Sequence, residues 1–92
     1  MLTIDKLTQP EISEQLSSRV RAIRRKRHIS QARLAERSGV SLGSIKRFER
    51  TGEISLTSFI KILMALGREH EITNLLTSPE YTSIEEVLAD VT

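Results

Sequence analysis

The stretch SQARLAERSGVSLGSIKRFER, from Ser30 to Arg50, constrains the fold of this chain more than any other segment. Its centre, Ser38-Gly39-Val40-Ser41, sets one glycine close between two serines. Ser30 is placed to cap a short helix through Ser38, because a hydroxyl there accepts one of the free N–H groups of the first turn. Gly39 then permits the positive φ that a side chain with a Cβ resists, so the helix stops abruptly. Ser41 restarts the chain as another helix through about Arg50. The spacing predicts two short helices joined by a sharp turn. Ala35, one turn before the glycine, suits a steep crossing that leaves room only for a small side chain. Leu34, Val40, Ile45 and Phe48 are spaced to point inward and set the crossing angle.

Such a pair is a helix-turn-helix, whose second member stands out from the surface in a form that fits the major groove of DNA. Charge points the same way. The chain has 14 Lys/Arg and 12 Asp/Glu, a net of only +2, yet residues 19–50 hold eleven of those bases against Glu36 and Glu49 alone. The flanks, residues 1–18 and 51–92, are each net acidic. A basic centre between acidic flanks marks a polyanion-binding face; the alternative is a solvated helix face. With Phe48, Phe59 and Tyr81 its only aromatics, the chain is no stacking platform for single strands.

The rest of the chain also reads as helix. Ile12, Leu16, Val20 and Ile23 recur at steps of four, four and three, one apolar stripe on a helix from about Glu11 to Arg27. Pro10 suits its first turn, Glu11 and Glu14 its positive end, and Arg24 to Arg27 its negative end. Ser55 can cap a fourth helix with Leu56, Phe59, Ile60, Leu63, Met64 and Leu66 as a broad apolar face, closed by Gly67. No segment alternates with period two, so the expected fold is all-α. Its 92 residues allow one domain with a single modest core. The absence of cysteine excludes disulfides and thiolate metal sites. No apolar run reaches membrane-spanning length, and the N-terminus lacks the basic start and apolar stretch of a signal peptide, so the expected location is cytoplasmic.

The segments ISQARLAERSGVS, SIKRFER and SLTSFIKILMALG together resemble the Cro/CI-type, or XRE-like, helix-turn-helix family of bacterial and phage repressors. The resemblance covers about Arg19 to Gly67 and rests on Ser-Gln, Leu-Ala, Ser-Gly-Val-Ser and Phe-Glu-Arg at these spacings. It implies a lambda-repressor-like domain of about five helices over residues 11–67, followed by an acidic helical extension over residues 68–92. It also implies double-stranded DNA as the partner. Gln31 matches a glutamine that contacts phosphate and braces the reading helix. Ser41 and Ser44 lie at the start of that helix, where hydroxyls and free N–H groups suit a phosphate or base edge; Ser41 also reads simply as a cap. Arg47 is matched to guanine recognition, and Lys46 and Arg50 to phosphate contacts. Thr57 and Ser58 stand where relatives contact phosphate from the fourth helix. Arg19, Arg21 and Arg25 are candidates for the backbone or for solvent.

Two departures qualify the match. Leu42 and Gly43 replace the polar residues that many relatives carry at the first exposed positions of the reading helix. Leu42 can touch a thymine methyl and Gly43 can permit close backbone approach, so direct readout leans on Arg47 and DNA shape. Thr51 stands where relatives have glycine, and Gly52 follows, which shifts the turn by one residue. The family further pairs an arginine of the first helix with the glutamate of Phe-Glu-Arg, here Arg24 and Glu49.

Beyond Gly67, apolar residues Ile72, Leu75, Leu76, Ile84, Val87, Leu88 and Val91 punctuate an acidic segment, and Ser83 with Glu86 has capping-box spacing. This segment can fold back, pair with a second copy, or dock a partner protein. A symmetric dimer selects a pseudo-palindromic operator with half-sites about 34 Å apart. No enzyme is expected: His28 and His70 lack companion ligands, and Ser58 with Lys61 matches S-x-x-K without any partner motif. No metal or cofactor is expected either. The leading function is a dimeric DNA-binding repressor that occludes a promoter. The runner-up is an antitoxin, because SLTSFIKILMALG is similar to the fourth helix of antitoxins that partner kinase-like toxins. A helix-turn-helix interaction module without DNA is the third.

Overall fold

The computed structural model describes residues 6–80. They form five helices, α1 (Gln9–Lys26), α2 (Gln31–Ser38), α3 (Leu42–Thr51), α4 (Leu56–Ala65) and α5 (Glu69–Thr73), with no strand among the described residues. The capping-box pair Ser83/Glu86 lies outside them. α1 begins two residues earlier than the apolar stripe implies because Thr8 builds its own capping box. Its hydroxyl accepts from the Glu11 N–H at 3.3 Å, and its N–H donates to Glu11 Oε1 at 3.0 Å. That backbone bond, and the one the Thr8 hydroxyl donates to the same Oε1 at 2.7 Å, hold the Glu11 carboxyl below its ordinary pKa.

The core is Val20, Ile29, Leu34, Val40, Ile45, Phe48, Ile62, Leu63 and Leu66, with Phe59 meeting Phe48 edge to face at 5.8 Å. α2 packs on both α3 and α4, α1 lies along α3, and α5 rests on α4. Ile72 carries α5 onto the core. Two sequence expectations about faces are corrected here. Val20 and Ile23 of the α1 stripe turn inward, but Ile12 and Leu16 are 47% and 40% exposed. The N-terminal half of α1 turns Ser13 and Ser17 toward α3 instead, and Ser17 is buried. The cause is the turn that ends α3. Gly52 sits so close that a Cβ on it would lie 2.9 Å from Ser13 Cβ and 3.0 Å from the Ser13 carbonyl carbon, a gap that admits only small side chains. On α4, Ile62 is completely buried, whereas Leu56 and Met64 of the expected apolar face are 69% and 59% exposed.

Candidate functional site

The turn between α2 and α3 assigns a separate task to each of its small residues. Gly39 has φ 76°, its N–H donates to the Ala35 carbonyl at 2.9 Å, and a Cβ there would touch nothing; backbone conformation alone demands the glycine. Ser38 Oγ accepts the Val40 N–H at 3.1 Å, which satisfies a donor the turn would otherwise strand. Ser41 caps α3 by accepting from the Ser44 N–H at 3.1 Å and donates its own proton to Ser44 Oγ at 2.8 Å. Ala35 is half-buried against the core beside Leu34.

α3 is two-faced. Ile45, Phe48 and Glu49 are buried, while Leu42, Gly43, Ser44, Lys46, Arg47 and Arg50 are exposed. At about 100° per residue, Gly43, Lys46, Arg47 and Arg50 share the sector opposite the buried three. Leu42 and Ser44 flank it. A Cβ on Gly43 would meet no atom within 4 Å, so nothing inside the protein requires glycine at that position.

The orientation of α3 is held by a buried charge network. Arg24 Nε donates to Glu49 Oε2 at 2.7 Å and Nη2 to Oε1 at 2.8 Å, a two-pronged pair with both residues under 10% exposed. Arg24 Nη1 donates to the Ile29 carbonyl at 2.8 Å, and Gln31 Nε2 donates to Glu49 Oε1 at 3.0 Å. Burial pushes the Glu49 carboxyl up, but the bonds from Arg24 and Gln31 and the charges of Arg24 and Arg21 outweigh it, leaving the pKa below its ordinary 4.5. No buried side-chain polar atom among the described residues lacks a partner. α1, α2 and α3 therefore meet at one carboxylate.

Between α1 and α3 runs a groove of about 490 Å³, lined in part by Arg21, Arg25, Lys46 and Arg50. The Gln31 amide stands at its wall. Arg19 lies outside it, beside the exposed outer face of α1. At the start of α4, Ser55 caps the helix by accepting the Ser58 N–H at 3.1 Å, so that N–H is already used; Thr57 is exposed and Ser58 half-buried. Arg47 does not stand alone: Nη2 donates to Glu53 Oε1 at 2.5 Å, a contact the sequence reading missed because its spacing of six fits no helical pair rule. Arg27, missed as well, donates from Nη1 to the Leu66 carbonyl at the end of α4. His28 and His70 are both exposed, and no group of three or more His, Cys, Asp or Glu able to hold a metal occurs among the described residues. Nor is any helix there long and apolar enough to cross a membrane.

Two short helices joined by a left-handed glycine turn, the second with a basic outer face and a locked inner face, define a helix-turn-helix of lambda-repressor-like helical fold. The chain belongs to the Cro/CI-type, XRE-like helix-turn-helix family: the family model, described as helix-turn-helix, matches residues 20–72, more than half of the chain. That family is one of DNA-binding transcriptional regulators, not typically enzymatic, and it implies double-stranded DNA as the partner. No curated protein sequence matches the chain.

Proposed function

We propose that this protein is a sequence-specific repressor that binds double-stranded DNA as a dimer, with α3 in the major groove. The observation that carries the reading is the two-faced α3, whose inner face is locked by Ile45, Phe48 and the Arg24–Glu49 pair while Gly43, Lys46, Arg47 and Arg50 face outward. A reading helix needs both properties, a fixed angle and an exposed basic face. Arg47 reads a guanine, Lys46 and Arg50 bind phosphates on the side of the groove, and Arg21 and Arg25 extend that phosphate track along it. Leu42 meets a thymine methyl, and Gly43 lets the helix backbone approach the bases. Gln31, Ser41, Ser44, Thr57 and Ser58 add polar contacts to the DNA backbone, from hydroxyls and from amide hydrogens left over by the capping and bracing bonds. Residues 11–67 form the DNA-binding unit, and residues 68–92 an extension that packs on the core, pairs protomers or binds a partner.

Selection of bound fragments from genomic DNA by the purified protein tests this reading. Recovery of a short pseudo-palindrome, lost in Arg47→Ala, is the expected result; binding without any motif contradicts it. A second reading, an antitoxin whose partner is a kinase-like toxin, draws support from the apolar residues left exposed on α4 and after α5, Leu56, Met64, Leu75 and Leu76. Co-purification with the product of a neighbouring gene separates the two.

A further inference from the structure

The turn after α3 contains a device that the reading above does not use. Thr51, at the last position of the helix, donates its hydroxyl proton to the Arg47 carbonyl at 2.7 Å and accepts the Glu53 N–H at 3.1 Å. Gly52 between them has φ 83° and is wedged against the Ser13 backbone of α1. The chain is thereby folded back so that the Glu53 carboxylate meets Arg47 Nη2, closing a ring of three contacts between α3 and the turn. Both side chains are nearly two-thirds exposed, so the ion pair contributes little to stability. Its consequence is orientation. A free arginine carries about 2 kcal/mol of rotamer entropy that a base contact must overcome. The contact with Glu53 engages one of the five guanidinium N–H groups and leaves the others for a ligand. With Leu42 and Gly43 unable to hydrogen-bond a base through their side chains, α3 has few other means of direct readout, so the setting of Arg47 weighs heavily.

We infer that Glu53 is a specificity-determining residue, which holds the Arg47 guanidinium in the orientation that reads guanine and is itself held by Thr51 and Gly52. The inference rests on the reading of α3 as the DNA-binding helix. Its opposite is that Glu53 is a competitor, an acidic side chain that occupies Arg47 and must be displaced by DNA.

Selection from a randomised double-stranded DNA pool by the full chain, compared among wild type, Arg47→Ala, Glu53→Gln and Thr51→Ala, separates these cases. Glu53→Gln is expected to lower the guanine preference at one position of each half-site by about tenfold, the size of a lost well-formed base contact, and to leave the other positions unchanged. Arg47→Ala loses preference at the same position, Glu53→Gln adds nothing to it, and Thr51→Ala gives a smaller loss in the same place. A Glu53→Gln protein that binds more tightly with an unaltered motif overturns the inference and makes Glu53 a competitor. A wild-type motif indifferent to Arg47→Ala overturns it while leaving the regulator reading intact. A wild-type protein that recovers no motif contradicts the regulator reading itself, and the inference falls with it.

Discussion

Removing either partner of the Arg24–Glu49 pair leaves the other charge buried with no counter-charge. Arg24→Ala is therefore expected to cost about 3–5 kcal/mol, measured by urea unfolding, and Glu49→Ala about as much, with the double variant losing less than the sum. The pair also carries a pH signature. Because the folded pKa of Glu49 lies below its ordinary 4.5, the stabilisation is complete above that value and is lost as pH falls through the folded one. Thermal melts taken from neutral pH downward should show this acid loss in the wild type and a weaker one in Glu49→Gln. Glycines provide a second contrast at the same scale. Gly39→Ala meets only the unfavourable φ and should cost about 1–2 kcal/mol, while Gly52→Ala adds a collision with the Ser13 backbone and should cost clearly more, as compared by the same unfolding assay. Sequence alone reveals that both glycines end helices, but not that one of them abuts another helix.

The elements differ in how far their sequences disclose them. α2 and α3 were legible to within a residue because every boundary is marked by a local hydrogen bond, Ser30 to Arg33, Ser41 to Ser44, and a left-handed glycine at each end. α1 was legible as a helix and wrong in phase over its first half. Apolar periodicity assumes that the larger apolar side chains turn inward, whereas the close approach of Gly52 brings the small Ser13 to that face, and Ile12 and Leu16 are left outside. α4 misleads for another reason: its apolar arc, opposite Thr57, Ser58 and Lys61, is wider than the core covers, so Ile62 is inside while Leu56 and Met64 are out. Of the site, the Arg24–Glu49 pair could be seen through the family resemblance, but Glu53 could not, since only the fold brings it to Arg47. α3 itself yields a prediction with opposite signs. Gly43→Ala should stabilise the fold by about 0.5–1 kcal/mol, since the helix gains propensity and the new Cβ meets nothing. The same change should weaken DNA binding by obstructing close approach. Melting and binding titrations on one preparation check both halves.

Across the whole molecule, charge is segregated rather than merely present. The groove between α1 and α3 gathers Arg21, Arg25, Lys46 and Arg50 near the outer face of α3, against two carboxylates, Glu14 and the Glu49 already paired with Arg24. Affinity for DNA should then fall steeply with salt, and Lys46→Ala should reduce the slope of log K against log salt by about 1 while leaving base preference unchanged. Methylation interference on the selected operator tests the proposed seating of α3 in the major groove, because guanine N7 lies there. Methylation of one guanine in each half-site, about one helical turn apart, should abolish binding. In Arg47→Ala the sensitivity at those two positions should disappear. Binding that tolerates N7 methylation everywhere would contradict a reading helix in the major groove, whatever the affinity.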